Sequence, residues 1–182
     1  VWPAIRSALF SLALAVVQPF AVPIVLVVLA VYLVTLAVQH HRLPWRQILL
    51  TGTAALAAAP VMIYDLYVYR TNPALAAWSA QNLTASLPPW NYALGYGLVL
   101  ILAIAGIPSA FRRRRPVDLL LLSWVGSAVV LLYLPFALQR RFIIGLHVPL
   151  VLLAAMGLEQ AVWPRVEARR RALVTGLIVG LS

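Results

Sequence analysis

A chain of 182 residues that is 64% hydrophobic and only 10% charged, with a mean hydropathy of +0.96, lies outside the composition of soluble globular domains and reads as a polytopic membrane protein. All 14 basic residues are arginine, against four acids (Asp65, Asp118, Glu159 and Glu167), for a formal net charge of +10. Because the arginines cluster between apolar runs, they mark loop topology rather than a nucleic-acid surface, and the absence of cysteine excludes a disulfide framework, a thiolate nucleophile and a Cys-ligated metal.

Residues 1–17 are apolar apart from Arg6, Ser7 and Ser11. Gln18-Pro19 and Pro23 then disfavour an uninterrupted helix, so this first piece reads as a short span or a re-entrant segment. Residues 23–38 form a transmembrane helix ending at His40-His41-Arg42. Leu43-Pro44-Trp45-Arg46 opens the next, which continues to about Leu66 with a kink expected at Pro60. Residues 68–91 form the long external connection. Within it Thr71-Asn72-Pro73 is a helix start, an Asn cap followed by proline, and Leu75, Trp78 and Asn82 recur at helical spacing, which suits a short interfacial helix with Trp78 inward. Asn82-Leu83-Thr84 also fits the glycosylation sequon, a triplet common by chance.

Residues 91–111 make the next span, closed by the block Arg112 to Arg115. Pro116 and Asp118 begin another, the acid where a helix dipole favours negative charge, running to about Leu138. After the corner Gln139-Arg140-Arg141-Phe142, residues 143–162 are long enough to cross back, with Glu159 expected to pair with a nearby arginine. Residues 172–182 are apolar but shorter than the roughly 20 residues a spanning helix needs. The expectation is one all-α transmembrane domain over residues 1–182, a polytopic bundle of about six spans plus a truncated last helix, belonging to the C-terminal side of a longer protein.

Counting loops alternately places ten arginines (Arg42, Arg46, Arg112 to Arg115, Arg165 and Arg169 to Arg171) on one face and Arg70, Arg140 and Arg141 on the other. That asymmetry puts the arginine-rich loops in the cytoplasm and the corner outside. No glycine-rich phosphate loop, metal-binding histidine pair or nucleophile elbow occurs. His40 and His41, being adjacent, point about 100° apart on a helix and share no ligand face.

Asp65, Arg70, Arg140, Arg141 and His147 all fall at the outer ends of helices by this count. Guanidinium groups bind phosphate bidentately and hold their charge in low dielectric, so Arg70, Arg140 and Arg141 make a candidate phosphate site. The alternative is that Arg140 and Arg141 snorkel into headgroups while Asp65 pairs with one of them. His147, flanked by Gly145 and Pro149, is either a phosphate donor or proton shuttle on loosened backbone, or a helix cap or interfacial side chain. Asp65 is either an ion-pair partner or a base.

Asn72-Pro73-Ala74, Trp78, Gln81-Asn82, Pro88-Pro89-Trp90 and Tyr92, followed by Gln139-Arg140-Arg141-Phe142, Gly145, His147, Pro149 and Leu150, resemble bacterial multi-spanning proteins related to the GT-C class of glycosyltransferases, over residues 70–158. The resemblance implies a polyprenyl-phosphate sugar as substrate, bound at the outer face of the bacterial inner membrane by basic residues at helix ends. It also implies an acidic catalytic residue in a first outer loop upstream of Val1, and leaves room for a divalent metal on upstream residues; no cofactor site is evident in the chain itself. The expected partners are membrane lipids, the lipid-linked sugar and the upstream part of the same chain, with no nucleic acid. The competing readings are a transporter or flippase-like protein for an anionic or lipid substrate, and a structural membrane subunit. The scarcity of strongly polar residues midway along the spans, beyond Gln18, Thr51, Ser123 and Ser127, weighs against a transport path.

Overall fold

Proline and glycine punctuate the apolar runs, and between them the backbone has no way to satisfy its polar groups in lipid except as helix. The computed structural model describes residues 2–81, 83–135 and 139–166 and the single positions 176 and 180. Every element there is helical, and no strand occurs among the described residues. In chain order the helices are α1 (Trp2–Val17), α2 (Ala21–His40), α3 (Trp45–Thr71), α4 (Pro73–Gln81), α5 (Pro89–Arg113), α6 (Pro116–Tyr133) and α7 (His147–Gly157). Four of them, α2, α3, α5 and α6, are long and apolar enough to cross a membrane. Asn82, Glu167, Arg169 to Arg171 and the last apolar run at 172–182, save positions 176 and 180, lie outside the described residues, as do 136–138.

The breaks fall largely where the sequence places them. Helix α1 stops at Val17, and a turn through Pro19 leads into α2, whose Pro23 sits in the first turn where its missing donor is harmless. Pro60 lies within α3, which runs on to Thr71. The connection after α3 is therefore shorter than residues 68–91: Asn72 ends α3 and at once caps α4, its Oδ1 accepting from the N–H groups of Ala74 at 3.0 Å and Leu75 at 3.4 Å. Between α4 and α5 only 83–88 is described, and it lies outside any helix. Trp78 on α4 is exposed.

Three boundaries differ from the sequence reading. Helix α6 ends at Tyr133 rather than near Leu138. The segment 143–162 is not one span: a 3₁₀ turn over Gln139–Ile143 leads through Gly145, at φ +79°, into an α7 of 11 residues, which passes into a π turn at Leu158–Val162. Left-handed backbone at Gly145 cannot belong to a right-handed helix, so the helix starts only at His147. Inside α5, Gly97 breaks the helix at φ +46° and ψ −123°, a kink glycine permits and composition does not announce.

Contacts divide the chain into two compact units, Val1–Ser86 with Ser127–Ile144, and Leu87–Gly126 with Gly145–Ser182. In the first, α1 lies along α3: the Ser7 hydroxyl donates to the Leu50 carbonyl at 3.1 Å, and eight residues further along each helix Ala15 and Ala58 share a buried cluster with Val22. The equal offset makes α1 and α3 parallel. In the second unit α5 packs on α7 through Gly106 and Gly157, where a Cβ on either would stand 2.0 Å from the backbone oxygen of Leu153 or Leu102. Such small-residue crossings bring backbones together where lipid gives no hydrophobic drive to association.

Candidate functional site

The corner Gln139-Arg140-Arg141-Phe142 is strapped to the segment after α4. The Gln139 side chain accepts from the Ser86 N–H at 2.9 Å and donates to the Leu134 carbonyl, while the Arg140 N–H donates to the Thr84 carbonyl at 3.0 Å. Both sides of this strap belong to the first unit. It fixes the backbone of a turn whose own five-residue 3₁₀ geometry is weak.

So held, Arg141 turns its guanidinium onto the Phe20 ring, 4.3 Å from the centroid, a cation–π contact worth about 0.5 to 2 kcal/mol depending on desolvation. Both line a cavity of about 410 Å³ at the start of α2 and the end of α3. Pro19, Phe20, Pro23 and Val27 come from the α1–α2 turn and α2, Met62, Asp65, Leu66 and Tyr69 from α3, Leu131 from α6, and Arg141 and Phe142 from the corner. The wall is apolar except at Asp65, Tyr69 and Arg141. Asp65 and Arg141 are both half-buried, and no ion pair joins Asp65 or Arg141 to any other described residue.

This cavity adjoins a second of about 410 Å³ along α2 and α3, with Pro23, Met62 and Leu66 in both walls. The second is lined by apolar side chains alone, among them Ala55, Ala58 and Ala59 of α3 against Val22 and Leu26 of α2. Alanine explains the groove: a row of methyl groups facing larger side chains leaves space that Leu or Ile would fill.

Of the residues singled out from sequence, the structure therefore brings Asp65 and Arg141 into one pocket. Arg70 and Arg140 are exposed and each adjoins a lining residue in sequence without lining the pocket itself. His147 belongs to the second unit, where its exposed ring stacks on Tyr96 with centroids 6.2 Å apart and 21° between planes. Glu159 is exposed in the π turn and forms no ion pair with a described residue. Asp118 is 2% exposed at the first turn of α6, and its Oδ2 has no hydrogen-bond partner among the described residues. Among the described residues no group of three His, Asp or Glu side chains could hold a metal ion.

Sequence reasoning missed Phe20, Tyr69, Phe142 and the role of Gln139 as the corner's anchor. A signal existed for the α3 wall: Met62, Asp65, Leu66 and Tyr69 follow the three-and-four spacing of a single helix face. Nothing local marked Phe20, which meets Arg141 across more than a hundred residues of chain.

Comparison with protein-family models, with curated proteins and with solved structures finds no match. The fold and the pocket define the class on their own: an all-helical chain with four helices of membrane-spanning length and composition, carrying an apolar cavity with an acid and an arginine in its wall.

Proposed function

We propose that this chain is the lipid-phosphate-binding part of an integral membrane glycosyltransferase-like protein, and that the cavity at Arg141 takes the phosphate of a lipid-linked, polyprenyl-type sugar. The observation that carries this reading is the adjacency of a guanidinium-bearing pocket and a wholly apolar groove, which have Pro23, Met62 and Leu66 in both walls. A water-soluble phosphate has no use for the groove, and a plain hydrocarbon has no use for Arg141. Arginine suits the task because its charge persists in low dielectric and its fork matches two phosphate oxygens. The Phe20 face beneath it orients the fork without neutralising it.

Arg70 and Arg140, exposed beside the lining residues Tyr69 and Arg141, add positive potential that draws an anionic headgroup in. The arginine asymmetry supports a non-cytoplasmic position for this end of α2 and α3, opposite the loop carrying Arg42 and Arg46. His147, in the other unit, is left out of the phosphate site.

The deciding measurement is binding of dodecyl phosphate to the purified chain in nonionic detergent. Arg141→Ala is expected to weaken it about tenfold or more, in line with a lost charge-assisted hydrogen bond pair, and Arg140→Ala by a few-fold. Equal affinity in wild type and Arg141→Ala, with normal expression, would sink the reading. Because the chain lacks cysteine, single cysteines at Gln81 and Arg113 report orientation directly. External labelling at the first and cytoplasmic labelling at the second is the expected pattern.

A further inference from the structure

Asp65 is the residue a pure anion site does not explain. It lines the same pocket as Arg141 and pairs with neither Arg141 nor any other described residue. Its other neighbours in the wall are the hydrocarbon of Met62 and Leu66, one turn or less away on α3, and Tyr69, one turn on. A carboxylate left in such a wall repels a phosphate seated on Arg141. An acid and a base that share a pocket and are not engaged with each other present two opposite charges to whatever enters.

Resting on the lipid-phosphate reading above, we infer that the headgroup taken by this pocket is zwitterionic: a phosphate, bound by Arg141, that carries a primary ammonium group, bound by Asp65. The dipolar headgroup satisfies both side chains at once, which a neutral sugar phosphate or a bare phosphate does not. An ammonium offers three donors and the carboxylate is an acceptor only, so the match is one of hydrogen bonding as well as of charge. Tyr69, in the same wall, adds a hydroxyl that both donates and accepts. Two sources share this chemistry, a polyprenyl-phosphate amino sugar and an ethanolamine glycerophospholipid.

The test compares three probes on the full chain in nonionic detergent: dodecyl phosphate, its 2-aminoethyl ester, and the N-acetylated form of that ester, which keeps the size and loses the positive charge. Wild type is expected to bind the aminoethyl ester about tenfold more tightly than either of the others. Asp65→Asn, nearly isosteric at a site with no partner to lose, is expected to abolish that preference while retaining dodecyl phosphate. Arg141→Ala is expected to weaken all three. An Asp65→Asn protein that still prefers the aminoethyl ester, or a wild type indifferent to the amine, overturns the zwitterion assignment and leaves the phosphate reading standing. Indifference of every probe to Arg141→Ala overturns the phosphate reading itself. Replacing the dodecyl chain by a farnesyl chain then separates the sources: a gain in affinity assigns an isoprenoid carrier, and no gain assigns a glycerophospholipid.

Discussion

The two units use small residues to opposite ends. Where α5 meets α7, Gly106 and Gly157 let each helix rest on the other's backbone, and a single added carbon on either would stand 2.0 Å from a carbonyl oxygen. Where α2 meets α3, Ala55, Ala58 and Ala59 face side chains rather than backbone, and a groove of about 410 Å³ remains. Glycine removes the side chain and the two backbones meet; at the α2–α3 seam alanine retains a methyl group and a cavity remains. On the lipid-phosphate proposal, the first arrangement serves stability and the second access.

The comparison breaks most sharply at the glycines. Gly106→Ala or Gly157→Ala forces a helix shift, and overpacking of this kind costs about 1 to 3 kcal/mol, occasionally more. Because the two sites share one crossing, the double variant should cost less than the sum. Gly52→Ala is the control: it lies within α3 with nothing inside 4 Å of its added carbon, so the same substitution is expected to stabilise by up to about 1 kcal/mol through helix propensity. Thermal unfolding in detergent, followed by tryptophan fluorescence, gives the order. Equal losses at Gly52 and Gly157 would show that the close crossing does not exist.

The groove sharpens the other half of the comparison. Ala59→Leu puts about two methylene-sized groups of ligand out of the space between α2 and α3, and at about 0.8 kcal/mol per methylene that is roughly a tenfold loss for dodecyl phosphate. Butyl phosphate, too short to need the groove, should bind the variant and the wild type alike. A variant that loses both probes equally has damaged the pocket rather than the groove.

How much of this could be read in advance depended on range. The helices and most of their ends were legible because proline, glycine and the Asn72 cap act over one or two turns. That Asp65 and the Arg140-Arg141 corner fall near or just beyond helix ends was legible as a position along the chain. That Arg141 and Asp65 share a wall while Arg70 and His147 do not enter it depends on which faces of α2, α3 and α6 turn together. The spacing of Met62, Asp65, Leu66 and Tyr69 hints at the face of α3, but α2 and α6 contribute only apolar residues, and a helix without a polar face carries no periodic signal of its own orientation. The break at Gly97 was illegible for a related reason, since glycine is common in membrane helices and only some of them use its conformational freedom.

The smallest expected effect concerns the strap that aims Arg141. The Gln139 side chain ties the corner both to the residue just past α6, through the Leu134 carbonyl, and to the segment after α4, through the Ser86 N–H. Gln139→Leu keeps the bulk and removes both bonds, for a loss of about 1 to 2 kcal/mol of local stability. Gln139→Glu separates them: its carboxylate still accepts from the Ser86 N–H but can no longer donate to the Leu134 carbonyl. Hydrogen exchange at the Ser86 amide should therefore rise in Gln139→Leu and stay slow in Gln139→Glu, while dodecyl phosphate binding falls a few-fold in both because Arg141 lies two residues beyond Gln139 in the loosened turn. If Ser86 exchanges as slowly in Gln139→Leu as in wild type and dodecyl phosphate binds both alike, the strap does not depend on Gln139, and the aim of the guanidinium rests on other contacts such as the Arg140 to Thr84 backbone bond.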